Sequence, residues 1–367
     1  MKAIAVVPGT TDVRLVERPE PGIRAADQVK LRVLEVGICG TDREEANGHR
    51  ADLPPGLSDL VLGHEMLGRV VEVGSGVSSV QPGDYALFTV RRGCGHCEPC
   101  AQNRSDMCAS GDYTERGIRA ADGFQTEVVV DTEQYLVKVP LEMRDYAVLT
   151  EPMSVAAKAI DEAAAIQAAR LPGARTPEEW LRGKRALVAG LGPIGLLAAF
   201  ALTLRGVEVI GLDVADEDAK RPSLLKRIGG RYVDGRKVRT DALDDHLGQV
   251  DLIFEATGVA ALEFELIDAL GINGIYVLTG IPGGDRPIDL DGAALIRQLV
   301  LNNQVIVGSV NANREHFVTA VRDLERAEER WKGAVRSVIT HRVPVGEFGS
   351  VIYKRLPDEI KSVITWG

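Results

Sequence analysis

Four of the chain's five cysteines, Cys94, Cys97, Cys100 and Cys108, fall between positions 94 and 108, and that spacing limits what the segment can become. Cys-x-x-Cys-x-x-Cys-x7-Cys puts four soft ligands in one short excursion, where thiolates can surround a tetrahedral Zn²⁺ at about 2.3 Å each. Such a site has no open coordination position. Its role is therefore structural: the metal fixes a lobe that has few apolar side chains of its own. The same spacing admits an iron–sulfur cluster, and unliganded or disulfide-bonded cysteines are the plainer alternative.

The rest of the chain does not need such a staple. Of 367 residues, 45% are hydrophobic and 26% charged, enough to bury a sizeable core, and the length argues roughly two to three domains of about 150 residues. Acidic residues outnumber basic ones by 53 to 43, a formal charge of −10 spread along the chain. Such a surface has no general attraction for nucleic acid or anionic lipid. The N-terminal stretch lacks the apolar core of a signal peptide, and no apolar run approaches the ~20 residues needed to span a bilayer. The expectation is a soluble, cytoplasmic protein with reduced thiols and no nucleic-acid or membrane partner.

Texture divides the chain. Residues 28–36, 67–73, 85–90 and 125–130 read as short strands separated by Gly, Pro and Asp, a compact β-rich pattern with functional loops. Residues 155–169 are Ala-rich with a helical period, and 171–179 read as a loop carrying two prolines and a glycine. From Arg185 onward, strands at 186–189, 207–212, 250–254, 275–278 and 304–307 alternate with helical segments at 196–205 and 222–228. That alternation argues an α/β, doubly wound parallel sheet. A helix at 314–330, a strand at 338–343 and a final amphipathic stretch close the chain.

Gly190-Leu191-Gly192-Pro193-Ile194-Gly195 joins the first of those strands to the first of those helices. Gly-x-Gly-x-x-Gly alone is a weak signal, but between strand and helix it gives the sharp turn and close backbone approach that a dinucleotide pyrophosphate needs at a helix N-terminus. The next strand ends in Asp213, a carboxylate placed to accept hydrogen bonds from the NAD ribose and to repel the extra phosphate of NADP. Lys220 and Arg221 follow closely enough to receive a phosphate. NAD is the preferred cofactor on this reading, with NADP as the alternative.

A second metal constellation is more scattered. Cys39-Gly40-Thr41-Asp42 follows a strand and Gly63-His64-Glu65 precedes one, together offering the three protein ligands that a catalytic zinc needs beside its exchangeable position. Glu151, in Thr150-Glu151-Pro152, can add a carboxylate directly or through water. Singly, Cys39 also reads as a small buried hydrophobe, His64 as a satisfied core histidine and Glu65 as a solvated charge.

The order of these pieces, Cys39-Gly-Thr-Asp, Gly63-His64-Glu65, the four-cysteine stretch and Gly190-x-Gly-x-x-Gly, closely resembles the zinc-dependent medium-chain alcohol dehydrogenase superfamily over essentially the whole chain. The stretches Val90-Arg91-Arg92-Gly93-Cys94, Glu115-Arg116-Gly117-Ile118, Glu151-Pro152 and Gly308-Ser309-Val310-Asn311-Ala312-Asn313 resemble its glucose 1-dehydrogenase branch. The resemblance implies a GroES-like catalytic domain over 1–153 with a structural zinc lobe, and a Rossmann NAD(P)-binding domain over 154–310. A segment over 311–367 would return to the catalytic domain, in a dimer or tetramer.

Carried over, the resemblance makes Cys39, His64 and Glu65 catalytic zinc ligands, with Glu151 a ligand or the holder of a zinc-bound water. Cys94, Cys97, Cys100 and Cys108 would hold a second, structural zinc. Thr41 would bond the sugar hydroxyl that reacts, and Glu115, Glu151 and Asn311 would hold the sugar. Gly190, Gly192, Pro193, Ile194, Gly195, Asp213, Thr257, Thr279, Ile281 and Asn311 would line the cofactor. Glu44 stands where many alcohol dehydrogenases end a proton relay in histidine, and His49 is nearby. The implied activity is oxidation of an aldose at C1, D-glucose to glucono-1,5-lactone, with hydride transfer to NAD(P)⁺. The same parts serve polyol and threonine dehydrogenases, and from another class a non-catalytic NAD-binding structural or regulatory protein would keep the fold.

Overall fold

A computed structural model describes residues 1–49, 51–238, 243–283 and 287–367, the side chain of residue 244 excepted. The chain divides into two compact units. The first comprises Met1–Ser154, Asn311–Glu325 and Val338–Gly367, and the second Val155–Val310 and Arg326–Ser337.

The first unit is organised on the strand Gln28–Gly37. Its first half alternates, with Val29, Leu31 and Val33 fully buried and Lys30 and Arg32 turned outward, so one face joins the core and the other meets water. Three strands pair with it antiparallel: Glu65–Val73, Val128–Thr132 and Lys361–Thr365. Lys361–Thr365 is buried over its first four residues. It runs beside Gln28–Gly37 on one edge and parallel to Ile339–Pro344 on the other. That insertion brings the C-terminal segment to the chain just before Cys39.

The second unit holds six parallel strands in the order Arg231–Asp234, Glu208–Asp213, Arg185–Ala189, Val250–Glu255, Leu270–Leu278, Val305–Gly308. The order reverses at Arg185–Ala189, and ligands of such sheets bind outside the strand carboxyl ends at that switch point. Leu187, Ile210, Ile253 and Tyr276 belong to one buried cluster of this unit.

The helix Pro193–Leu204 begins with Gly192 as N-cap and Pro193 in its first turn, and ends before Gly206 at φ +78°. Proline loses nothing there because the first helical N–H groups have no carbonyl partner, and glycine takes the left-handed exit. Gly195 through Leu202 are all buried, and each buried leucine contributes roughly 1.5–3 kcal/mol. Proline in place of Ala199 would break this helix at a cost of about 3 kcal/mol. The stretch 171–179, expected as loop, runs into a short helix, Pro177–Leu181. Thr176 caps it through its side chain and Pro177 opens it, two start signals that the surrounding Pro and Gly obscure.

Candidate active site

Gln28–Gly37 delivers the chain to Cys39, which is the N-cap of the helix Gly40–Ala46. Asp42, the third residue of that helix, accepts a hydrogen bond from the Cys39 N–H at 2.7 Å and fixes the turn. Glu65 lies opposite Gly37 in the antiparallel pair. A Cβ at Gly37 would sit 2.0 Å from Glu65 Oε2, so the glycine is what lets the Glu65 side chain lie across the neighbouring strand. His64 precedes it, and both are buried.

Cys39, His64 and Glu65 each offer one ligand atom, and the three atoms lie within 4.8 Å of one another. A thiolate, an imidazole and a carboxylate gathered this closely fit zinc with one position left open. Asp42 Oδ1 stands 3.7 Å from His64 Nδ1, and among the described residues neither atom has a hydrogen-bond partner. The carboxylate therefore faces Nδ1 and leaves Nε2 as the nitrogen that a metal could take. Burial disfavours the charged imidazole, but Asp42 and Cys39 outweigh it and raise the His64 pKa well above its usual value.

Lys361 closes the other side of this group. Its ammonium donates to Glu65 Oε1 at 2.6 Å, to Glu65 Oε2 at 2.8 Å and to the Ile38 carbonyl at 3.1 Å. Burial works against the ammonium, yet Glu65 and Cys39 leave its pKa raised. Glu151, in the first turn of the helix Thr150–Arg170, stands outside the tight three-ligand group but shares its field. Burial pushes its carboxyl up to about 7, Glu65 and Asp42 add to the rise, and His64 and Lys361 oppose it. Thr41 is partly exposed on the helix Gly40–Ala46, and among the described residues no group hydrogen-bonds its hydroxyl.

Cys94, Cys97, Cys100 and Cys108 form the second cluster, again with all sulfurs within 4.8 Å of one another and none in a disulfide. Four ligands on a tetrahedron with bonds of ~2.3 Å lie about 3.8 Å apart, so the set fits zinc. Cys97 N–H donates to Cys94 Sγ and Ala109 N–H to Cys97 Sγ, both at 3.4 Å. A hydrogen bond from Ser110 and then one from the Cys97 backbone pull the Cys94 thiol down to about 5. Burial pushes Cys100 up to about 12, so the cluster does not carry four thiolates without a cation.

Glu115 and Asn311 also meet in the first unit: Asn311 Nδ2 donates to Glu115 Oε1 at 2.7 Å. Glu115 lines a cavity of about 410 Å³ together with His49, Asp52, Tyr113 and Arg119. The His49 N–H donates to the Glu44 carbonyl.

In the second unit the three glycines of the turn serve different ends. Gly190 has φ +85°, a left-handed conformation that favours glycine. A Cβ at Gly195 would lie 1.8 Å from the Gly190 carbonyl, whereas one at Gly192 would meet nothing within 4 Å, leaving open space for a phosphate. Asp213 Oδ2 accepts from the Leu191 N–H at 2.6 Å, and Oδ1 accepts from Val214 N–H at 2.7 Å and Ala215 N–H at 3.0 Å. Arg221 Nη1 stands 3.5 Å from Oδ2. Thr257 and Thr279 flank the buried Glu255: Thr257 Oγ1 donates to its carboxylate and Thr279 Oγ1 to its carbonyl, each at 2.6 Å. Ile281 is exposed.

Residues 25–141 match the family described as Alcohol dehydrogenase GroES-like domain, and residues 144–366 the one described as Glucose dehydrogenase C-terminus. The glucose 1-dehydrogenase of Methanocella arvoryzae is 37% identical over 347 residues, covering 94% of this chain and 93% of that protein. That of Thermoproteus tenax is 38% identical over 368 residues, 99% of each. This chain belongs to the glucose 1-dehydrogenase branch of the zinc-dependent medium-chain alcohol dehydrogenases. A solved glucose dehydrogenase of Haloferax mediterranei, in complex with NADP, Zn and gluconolactone, has a TM-score of 0.89 and 31% identity, covering 100% of this chain and 99% of that one. Galactitol-1-phosphate dehydrogenase of Escherichia coli, at 22% identity and a TM-score of 0.79, shares the fold.

For a glucose 1-dehydrogenase chain, spacing alone misses four polar side chains that order these groups. Asp42 carries a signal, since a carboxylate three residues after an N-cap is capping-box spacing. Arg91 lies within the stretch that resembles the glucose 1-dehydrogenase branch, without a role attached. Lys361 and Glu255 carry none: Lys361 meets Glu65 across 296 residues, and Glu255 is one more residue at the end of a buried strand.

Proposed function

We propose that this protein oxidises β-D-glucose at C1 with NAD(P)⁺, giving glucono-1,5-lactone, NAD(P)H and a proton. The observation that carries the proposal is the convergence of Cys39, His64 and Glu65 within 4.8 Å, in a chain 37–38% identical to glucose 1-dehydrogenases. Cys39, His64 and Glu65 hold one zinc and the four-cysteine lobe holds another, two per chain. Zinc in the first site supplies Lewis acidity that lowers the sugar hydroxyl's pKa, a role worth several kcal/mol.

The chain's own side chains do the rest. Thr41 Oγ1 bonds the C1 hydroxyl, and Glu151, in the first turn of the helix Thr150–Arg170, takes up its proton as general base. Glu115 and Asn311 hold the other hydroxyls, and the C1 hydrogen leaves as hydride to the nicotinamide. Gly190, Gly192, Pro193, Ile194 and Gly195 cradle the pyrophosphate at the start of the helix Pro193–Leu204. Thr257, Thr279 and Ile281 border the nicotinamide half. Asp213 favours NAD⁺, while Arg221 beside it keeps NADP⁺ usable.

The chain also works as a homo-oligomer, dimer or tetramer. Ile296, Val300 and Leu301 are exposed on the helix Gly292–Leu301, and Ile306 on the edge strand Val305–Gly308, an apolar face and a strand edge without a pairing strand among the described residues, which a second copy would cover. Among the described residues no helix is long and apolar enough to cross a membrane.

The deciding experiment is a panel of aldoses, sorbitol and threonine with the purified, zinc-loaded protein and each nicotinamide cofactor, followed by absorbance. Reduction with glucose supports the proposal. Absence of reduction with every aldose overturns it.

A further inference from the structure

The carboxylate of Glu115 is held by more than Asn311. Arg91 Nε and Nη2 both donate to Glu115 Oε1, at 3.0 and 2.9 Å, and Asn311 Nδ2 donates to the same oxygen. All three donors converge on Oε1. Among the described residues no donor reaches Oε2, so that oxygen is the one left to accept from a ligand.

Arg91 is itself over-determined. It is 6% exposed, its guanidinium lies 3.9 Å from the centroid of the Tyr113 ring, and Nη1 donates to the Asp106 carbonyl at 2.8 Å. Asp106 sits in the turn Ser105–Met107, between Cys100 and Cys108. Tyr113 and Glu115 line the same cavity. One side chain thus joins the four-cysteine lobe, the aromatic wall of the cavity and the carboxylate proposed to hold the sugar.

We infer that Arg91 is the positioning residue of the sugar site: it anchors Glu115 through Oε1, keeps Oε2 for a substrate hydroxyl, and makes that placement depend on the four-cysteine lobe through the Asp106 carbonyl. The inference rests on the proposed role of Glu115 in binding the sugar. A planar guanidinium makes all these contacts at once, whereas the single ammonium of lysine keeps the charge without the fork.

The test uses the zinc-loaded enzyme and the variants Arg91→Lys, Arg91→Gln, Glu115→Gln and Arg91→Gln with Glu115→Gln. The expected result for Arg91→Lys is a rise in KM for glucose of about tenfold, the size of effect that loss of charge-assisted hydrogen bonds produces. Its kcat and its KM for NADP⁺ stay within about twofold and its zinc content is unchanged, a split that general destabilisation would not give. Calorimetry with gluconolactone should show the same loss of affinity without turnover. The double variant should be no weaker for glucose than Glu115→Gln alone, because the two residues act through one contact.

An unchanged KM for glucose in Arg91→Lys, or full additivity in the double variant, overturns the role of Arg91 while leaving that of Glu115 intact. An unchanged KM in Glu115→Gln overturns the assignment of Glu115 to the sugar and the inference built on it. If Arg91→Gln does not fold, Arg91→Lys and its calorimetry decide.

Discussion

Asn311 donates from Nδ2 to Glu115 Oε1 at 2.7 Å, joining two side chains 196 residues apart in the chain. Its own amide oxygen accepts from the Ala312 N–H at 2.8 Å, and its backbone is left-handed at φ +61°. Both ends of the Asn311 amide are thus in use, and in the proposed sugar site it would orient Glu115 and offer its second amide hydrogen and remaining lone pair to a hydroxyl.

Asn311→Asp isolates that contact. Aspartate tolerates the left-handed backbone as asparagine does, and its oxygen can still accept from Ala312. The change replaces one donor by an acceptor facing Glu115, so two carboxylates compete for one proton. The expected outcome in steady-state kinetics is a rise in KM for glucose of roughly tenfold, from a lost hydrogen bond and added repulsion, with a smaller change in kcat. A KM equal to that of the unchanged protein would show that this pair does not touch the sugar.

Lys361 and Glu65 form a buried ion pair with side-chain exposures of 3% and 1%. Removing the cation alone strands a carboxylate, a loss of about 3–5 kcal/mol. Lys361→Met should therefore lower the melting temperature of the metal-free protein by several degrees. Added Zn²⁺ replaces the missing positive charge beside Glu65, so zinc should raise the melting temperature of the variant by more than it raises that of the unchanged protein. Equal zinc-induced shifts in parallel thermal melts would detach Lys361 from the metal group.

These contacts mark where sequence reading stops. The second unit is legible because its period changes from strand to helix repeatedly, and Gly190 to Gly195 fall at a junction where a tight turn and an open helix start coincide. Cys39, His64 and Glu65 are legible only as a set, since each alone has an ordinary structural reading. Lys361 is not legible: its strand, Lys361–Thr365, is covered on both sides and shows no alternation, and its partner is fixed by strand order rather than by any local pattern. The same holds for Arg91, whose three contacts come from residues 15 to 24 positions away.

The titration of the metal-free protein follows from Glu151 and His64. The folded pKa of Glu151, about 7, exceeds its ordinary value of 4.5, so between those values the native state binds more protons than the unfolded chain and stability falls as pH rises. The raised pKa of His64 acts in the same sense: its contribution is present in full below 6.5 and is lost as pH climbs through the folded value. Without metal, thermal melts should therefore show these groups stabilising the protein more at pH 5 than at pH 8, and Glu151→Gln should flatten the part between 4.5 and 7. Zinc binding requires deprotonated ligands and strengthens with pH, so the zinc-loaded protein should not share the decline. A metal-free protein whose stability rises over that range, equally in Glu151→Gln, would contradict this assignment.

Asp213 bears on cofactor choice through two separate effects. Its Oδ2 ties down the Leu191 N–H of the glycine-rich turn, and in the proposed cofactor site its charge would repel a ribose 2′-phosphate. Asp213→Asn removes the charge, and its single amide oxygen can accept from the Leu191 N–H or from the Val214 and Ala215 N–H groups but not from both sets, so the ratio between the two cofactors, which share the turn, is what reads the charge. With the charge at position 213 gone, a 2′-phosphate beside Arg221 no longer meets an anion there. The ratio of kcat/KM for NADP⁺ to that for NAD⁺ should rise by about tenfold, the scale of one charge interaction near a protein surface, while Asp213→Ala should also weaken both cofactors by loosening the turn. An unchanged ratio in Asp213→Asn, measured with glucose at saturation, would mean that this carboxylate serves the turn alone.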